Sequence, residues 1–287
     1  MEPIFGVMQG RLSAPEEGRF QSFPRNSWRQ EFICAREAGI SYIEWIYDDY
    51  GASANPIATV EGRAEISGLK EQYGIQTPAI CGDWLMDYPL IRCAESEYEQ
   101  RLQRLHEMLH WARAIGASRI VLPFVDASSI RTEEEETLVI RLLERSLTVS
   151  EKTGVEMHLE ADFPPSRFAG FLAHLPHPMI KVNYDTGNSS GLGYIASDEF
   201  AAYGERIGSI HIKDRLRNPD DSVTTKPLGQ GSADFEDVFR CIRGIGYSGG
   251  FTLQVARGDD GDEVNWIKQQ VAFVRSCWNQ DHGSSAN

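Results

Sequence analysis

No run among the 287 residues is long and apolar enough to cross a bilayer, and no basic leader precedes an apolar core. Met1 is followed by Glu2 and a short apolar stretch broken by Gly6 and Gln9. The expectation is a soluble, cytoplasmic protein. Cysteine is scarce. Cys34, Cys81, Cys93, Cys241 and Cys277 are odd in number and never form a C-x-x-C pair, so they read as reduced and mostly structural. Cys81 lies in an apolar segment that turns polar at Asp83, but no base can be placed beside it, which favours a buried bystander over a nucleophile. Positive charge is in deficit. A formal net charge of −14 repels polyanions and disfavours generic nucleic-acid or membrane-surface binding, while still allowing a local basic pocket. There is also no G-x-G-x-x-G after the first apolar run, where a dinucleotide fold needs its phosphate turn.

What is present is ordinary globular material, 41% hydrophobic and 24% charged, enough to build one large core. The organising signal is a repeated joint in which a helical pattern meets a glycine, a short polar step and an apolar β-branched run. It recurs at Gly39, Gly74, Gly116, Gly154, Gly208 and Gly246. Glycine past a helix end closes the last turn in left-handed geometry, so each joint reads as helix to strand.

Counting from these joints places strands at 4–8, 42–46, 77–81, 120–124, 155–159, 180–184, 209–212 and 251–255. Between them, Leu102, Leu105, Leu109, Ala112 and Ile115 form one apolar helical stripe. Ser27-x-x-Gln30 and Thr132-x-x-Glu135 match the capping box, and Asp234 precedes a helix. Eight alternating units close a parallel (β/α)₈ TIM barrel, a single α/β domain over residues 1–281, with a polar tail at 282–287 expected to fray. A doubly wound open sheet is the runner-up. The segment 9–26 reads as a mouth loop.

In such a barrel the chemistry sits at the carboxyl ends of the strands. Glu160 ends the fifth strand, Asp185 ends the sixth, His211 lies in the seventh, and Gln254 lies in the eighth. Alternation along each strand sets His158, Asn183 and Lys213 on the same inward faces. Buried carboxylates need compensation, and one divalent cation, Mn²⁺, Mg²⁺ or Zn²⁺, satisfies two carboxylates, an imidazole and an amide oxygen together. Any one of these residues alone is more often an ordinary hydrogen-bonded barrel residue. Four successive strand ends make the metal site the better reading.

Gln9, Arg11, Glu44, Asp83, Trp84, Asn188, Arg217 and Arg257 are the candidate substrate-binding residues, suited to a polyol or sugar phosphate. Trp45 is balanced between the mouth and the core. Lys213, Arg215, Arg217, Lys226 and Arg257 cluster near the last two strands, where barrels often hold phosphate, and the Gly229-Gln230-Gly231-Ser232 turn offers backbone N–H groups to an anion or else simply caps a helix.

These strand ends, with the opening Gly6-Val7-Met8-Gln9-Gly10-Arg11-Leu12-Ser13, make the chain resemble a sugar phosphate isomerase/epimerase of the xylose-isomerase-like TIM barrel superfamily. The resemblance implies a divalent metal held by Glu160, Asp185 and His211. The fourth family ligand is a glutamate, and here Gln254 stands in its place. Related ketose epimerases use two metal-bound glutamates as opposing acid and base, and a glutamine cannot take up a proton near neutral pH. The resemblance therefore implies Glu160 as the acid/base group of an isomerase or epimerase working through an enediolate, with the second proton transfer falling to Lys213, Asp214 or Asp83. A dehydratase of the inosose type and a silent carbohydrate-binding barrel are the alternatives. Apurinic endonuclease chemistry fits poorly, because of the seven histidines only His158 and His211 fall on site-lining strands. The implied partner is a small sugar or sugar phosphate, with a homodimer allowed by exposed helix faces.

Overall fold

The computed structural model describes residues 2–280 apart from 221 and 259–260. The tail expected at 282–287 lies outside the described residues. Eight strands form the closed parallel barrel: β1 (Phe5–Met8), β2 (Tyr42–Ile46), β3 (Ala79–Cys81), β4 (Arg119–Phe124), β5 (Glu156–Ala161), β6 (Ile180–Asp185), β7 (Ile207–Ile212) and, after an inserted hairpin, β10 (Phe251–Leu253). Closure is made by β1 against β10, with Phe5 opposite Phe251 and Val7 opposite Leu253. That pairing removes the open doubly wound sheet. Strand β3 starts at Ala79 and not at Thr77, since Pro78 has no N–H to offer the ladder.

The inserted hairpin, β8 (Asp214–Arg217) with β9 (Val223–Lys226), is antiparallel and was not foreseen. Leu216 and Val223 are the only apolar residues of its two strands, so nothing in their periodicity separates them from a loop.

Gly39, Gly74, Gly116 and Gly154 close their helices at φ 72°, 71°, 77° and 67°, as the repeated joint requires. Gly208 does something else. It lies inside β7, and a Cβ there would come within 2.6 Å of the His158 ring, so the glycine makes room for a buried imidazole instead of ending a helix. The stripe from Leu102 to Ile115 is buried along the helix Glu95–Ile115. Asp234 caps the helix Phe235–Gly244 through the N–H of Asp237, and Thr132 accepts from Glu135 N. Ser27 does not cap: its hydroxyl makes no bond to the helix that follows and is buried without a partner.

Trp45 resolves to the core. It is fully buried among Phe23, Trp28 and Phe32, with its indole N–H on Asn55 Oδ1 at 3.0 Å. No helix among the described residues is long and apolar enough to cross a membrane.

Candidate metal centre at the barrel mouth

Alternation on the late strands stacks inward side chains in two layers. His158, Asn183, Ser209 and Thr252 form the lower one, and Glu160, Asp185 and His211 follow two residues later on the same strands, with Gln254 just past the end of β10. The upper layer opens on a cavity of about 270 Å³ lined by Gln21, Asp83, Glu160, Asn188, Lys213 and Gln254, among others.

Each of two candidate ligands has one atom anchored and the other left over. Asp185 Oδ1 accepts from Gly187 N and Asn188 N, both at 2.8 Å, and so caps the helix Thr186–Leu192. His211 Nε2 donates to Glu44 Oε1 at 2.7 Å. The remaining atoms, Asp185 Oδ2 and His211 Nδ1, are buried without a hydrogen-bond partner. They lie 3.9 Å apart, and Glu160 Oε2 sits 3.3 Å from the same Nδ1. One ligand atom from each of Glu160, Asp185 and His211 falls within 4.8 Å of the others. Buried ligand-type atoms left unpaired and converging in this way fit a divalent cation, which would take the place of any proton on Nδ1 and satisfy them together.

Electrostatics without the cation point the same way. Burial opposes a charged imidazole, but the Glu44 and Glu160 carboxylates outweigh it and raise His211 to about 10. For Glu44 burial is likewise outweighed, and His211 holds its carboxyl below the ordinary value. A carboxylate behind a ligating histidine fixes the ring's orientation, and here it turns Nδ1 toward Asp185 and Glu160.

Glu160 is held at both oxygens: Asn188 Nδ2 donates to Oε1 at 2.5 Å, and Asn183 Nδ2 donates to Oε2 at 2.8 Å. Asn183 is in turn fixed by Ser209, whose hydroxyl donates to Oδ1 at 2.6 Å. Lys213 is buried, with Nζ 3.2 Å from Gln254 Oε1, 3.4 Å from Asn188 Oδ1 and 3.7 Å from Asp185 Oδ2. Burial pushes this ammonium below its ordinary pKa, with Asp185 opposing.

Of the substrate-binding candidates, Asp83 and Asn188 line the cavity. The others have different work. Glu44 is fully buried behind His211. Gln9 is buried, accepting from Ile46 N at 2.9 Å. Trp84 stacks on Tyr88 at 4.6 Å. Arg11 holds Val255 O, Phe20 O and Gln21 Oε1, while Arg257 donates to Phe20 O and Ser13 O. Arg217 donates to Leu192 O. The glycine turn is not an open anion cradle: the N–H groups of Gly229, Gly231 and Ala233 all donate to the Asp214 carboxylate. Asp214 is thereby a structural anchor for the hairpin and not a group facing the mouth. Cys81 is buried, and its thiol is raised well above the ordinary value by burial and by Asp83, as befits an inert bystander.

One mouth residue escaped the sequence. Gln21 reaches in from the 9–26 loop, donating to Asp83 Oδ2 at 2.7 Å and accepting from Gln254 Nε2 at 2.9 Å. Only its membership of a long loop after the first strand pointed to it.

A closed (β/α)₈ barrel with two carboxylates and an imidazole converging at its carboxyl mouth defines a class of barrels with a candidate metal centre. Residues 32–277 match the family described as xylose isomerase-like TIM barrel, and the chain belongs to that family. It is 23% identical over 260 residues to the L-ribulose-5-phosphate 3-epimerase UlaE of Shigella flexneri serotype 5b (strain 8401), covering 85% of this chain and 90% of that one. Among solved structures, an L-ribulose 3-epimerase aligns with a TM-score of 0.77 at 16% identity over 99% of this chain and 97% of that one. The IOLI protein, solved with a zinc atom, aligns at 0.71 and 13% identity over 99% of each chain.

Proposed function

We propose that this protein is a divalent-metal-dependent isomerase or epimerase acting on a sugar, sugar phosphate or related hydroxy-carbonyl compound. Glu160, Asp185 and His211 hold the cation, Mn²⁺, Zn²⁺ or Mg²⁺, and Gln254 offers a fourth oxygen through the lone pair of Oε1 that Lys213 does not use. When bound, the cation supplies positive charge that polarises a substrate carbonyl.

The observation that carries the reading is the placement of two proton-carrying groups around one amide. Asn188 donates to Glu160 Oε1 and lies within reach of Lys213 Nζ. Glu160 takes the proton from the carbon beside the carbonyl, and Lys213 Nζ returns one from its own side, the part that Gln254 cannot play. The lowered pKa of Lys213 brings its ammonium closer to a value useful for that donation. Gln21 and Asp83, tied to each other at the rim, orient substrate hydroxyls. The sugar epimerases among the relatives support the same class of reaction.

The test is proton exchange at carbon. The manganese-loaded protein is incubated with a panel of ketoses and ketose phosphates in D₂O, and deuterium entering beside the carbonyl is followed by NMR. Exchange with at least one ketose, lost in Glu160→Gln, is the expected result. No exchange across the panel sinks the reading, and a dehydrated product without epimer moves it to the dehydratase alternative.

A further inference from the structure

Beside the mouth lies a second cavity of about 360 Å³, and the two share Val125, Asp126, Asn188 and Arg215. One wall is the unforeseen hairpin, through Arg215, Val223 and Thr225, and the other includes Asp162 and Leu192. Leu192 and Val223 are 41% and 39% exposed, so two aliphatic groups face open space at the edge of a polar mouth. The wall is closely built. A Cβ on Gly191 would come within 2.9 Å of Val223 Cγ1, so the helix Thr186–Leu192 and the hairpin touch through a position with no side chain.

Asp126 stands where the cavities join. It holds φ at 51°, a left-handed conformation that aspartate takes up more readily than most residues with a side chain. Among the described residues, neither its carboxylate nor the Arg215 guanidinium makes a hydrogen bond or ion pair. The Asp162 carboxylate accepts from the Ser129 hydroxyl.

These groups discriminate between ligands. Carboxylates accept from hydroxyls, Arg215 and Thr225 donate, and Leu192 with Val223 covers a C–H face, which together suit a neutral polyol ring. A phosphate group would meet Asp126 and Asp162 with Arg215 alone on its side, and the nearby backbone N–H groups already serve Asp214. We propose that this cavity is a subsite for a second, uncharged sugar ring, and that the substrate is a glycosylated hydroxy-carbonyl sugar. The inference rests on the isomerase reading above and narrows its substrate class.

Three probes with the same ketose test it: D-fructose, fructose 6-phosphate and isomaltulose, which carry hydrogen, phosphate or a glucosyl ring on O6. Binding to the manganese-loaded protein is measured by calorimetry. Isomaltulose is expected to bind about tenfold more tightly than fructose, equivalent to about 1.4 kcal/mol, and Leu192→Asp is expected to bring the two together. A crystal soaked with isomaltulose should show its glucosyl ring between Leu192 and Val223. Isomaltulose binding no more tightly than fructose, or fructose 6-phosphate binding tightest of the three, overturns the subsite. Failure of the isomerase reading looks different, because a chain that takes up no manganese or exchanges no carbon-bound proton can still be compared for the two-ring preference.

Discussion

Lys213 Nζ donates to Gln254 Oε1 at 3.2 Å, so the amide that cannot itself carry a proton is in contact with an amine that can. Gln254→Glu converts this contact into an ion pair and adds a carboxylate to the metal group. Manganese should bind about tenfold more tightly by calorimetry. Deuterium exchange at carbon should fall, because the new anion holds the Lys213 proton. Faster exchange in Gln254→Glu would mean that Lys213 is not the second proton carrier.

Metal content should follow the orphaned atoms. Protein purified without chelator or metal resin should carry about one Mn, Zn or Mg per chain by plasma mass spectrometry, the occupancy expected of one closed set of ligands. Asp185→Ala and His211→Ala should each abolish it. Unchanged metal in both would locate the ion elsewhere.

Metal uptake should be pH-dependent with a defined sign. His211 without metal titrates at about 10, so at neutral pH its imidazole is doubly protonated, and the cation must displace the proton on Nδ1. Manganese affinity should rise by about tenfold per pH unit between about pH 6 and 8, with about one proton released per ion. Calorimetry in buffers of differing ionisation enthalpy reads both. A flat profile would contradict a protonated His211.

Glu44→Gln removes the anion behind the ligand. Loss of such an outer partner commonly weakens metal binding by about 10- to 100-fold, and that is the expected change here at pH 8. The proton released on binding should also shrink, because Glu44 is a main cause of the raised His211 value.

Asp214→Asn puts an NH₂ among three backbone donors. The variant should lose about 1–3 kcal/mol of stability in urea unfolding, the usual cost of unsatisfied buried hydrogen-bonding groups. Retained stability would mean that the turn at 229–233 finds other acceptors.

The eight barrel strands were legible because helix-ending glycines and apolar runs are local signals, and Gly39, Gly74, Gly116 and Gly154 behave as that logic requires. Gly208 shows its limit, since a glycine needed for close approach to His158 looks the same in sequence as one that ends a helix. Glu160, Asp185 and His211 were legible for a related reason: alternation along a strand dictates which side chains share a layer. Arg11 leaves the first strand and Glu44 belongs to the second, which points both toward the mouth, but whether a polar group faces ligand or another protein group is decided by partners far away in sequence. His211 lies 167 positions from Glu44, and Val255 lies 244 from Arg11. Gln21 and the hairpin had no periodic signal to betray them.

The two arginines at the seam tie the order of the mouth to the completion of the barrel. Arg11 on Val255 O, with Arg257 on Phe20 O and Ser13 O, joins the first loop of the chain to the segment that follows its last barrel strand. Gln21 is held at that joint by Arg11 and meets Gln254 beside the pairing of β1 with β10. The rim at Gln21 and Gln254 thus rests on contacts that span nearly the whole chain, the kind of non-local pairing that raises contact order. A chain cut short before its last barrel strand would still carry Glu160, Asp185 and His211, but it would lack Gln254 and the Arg257 bonds that pin the first loop.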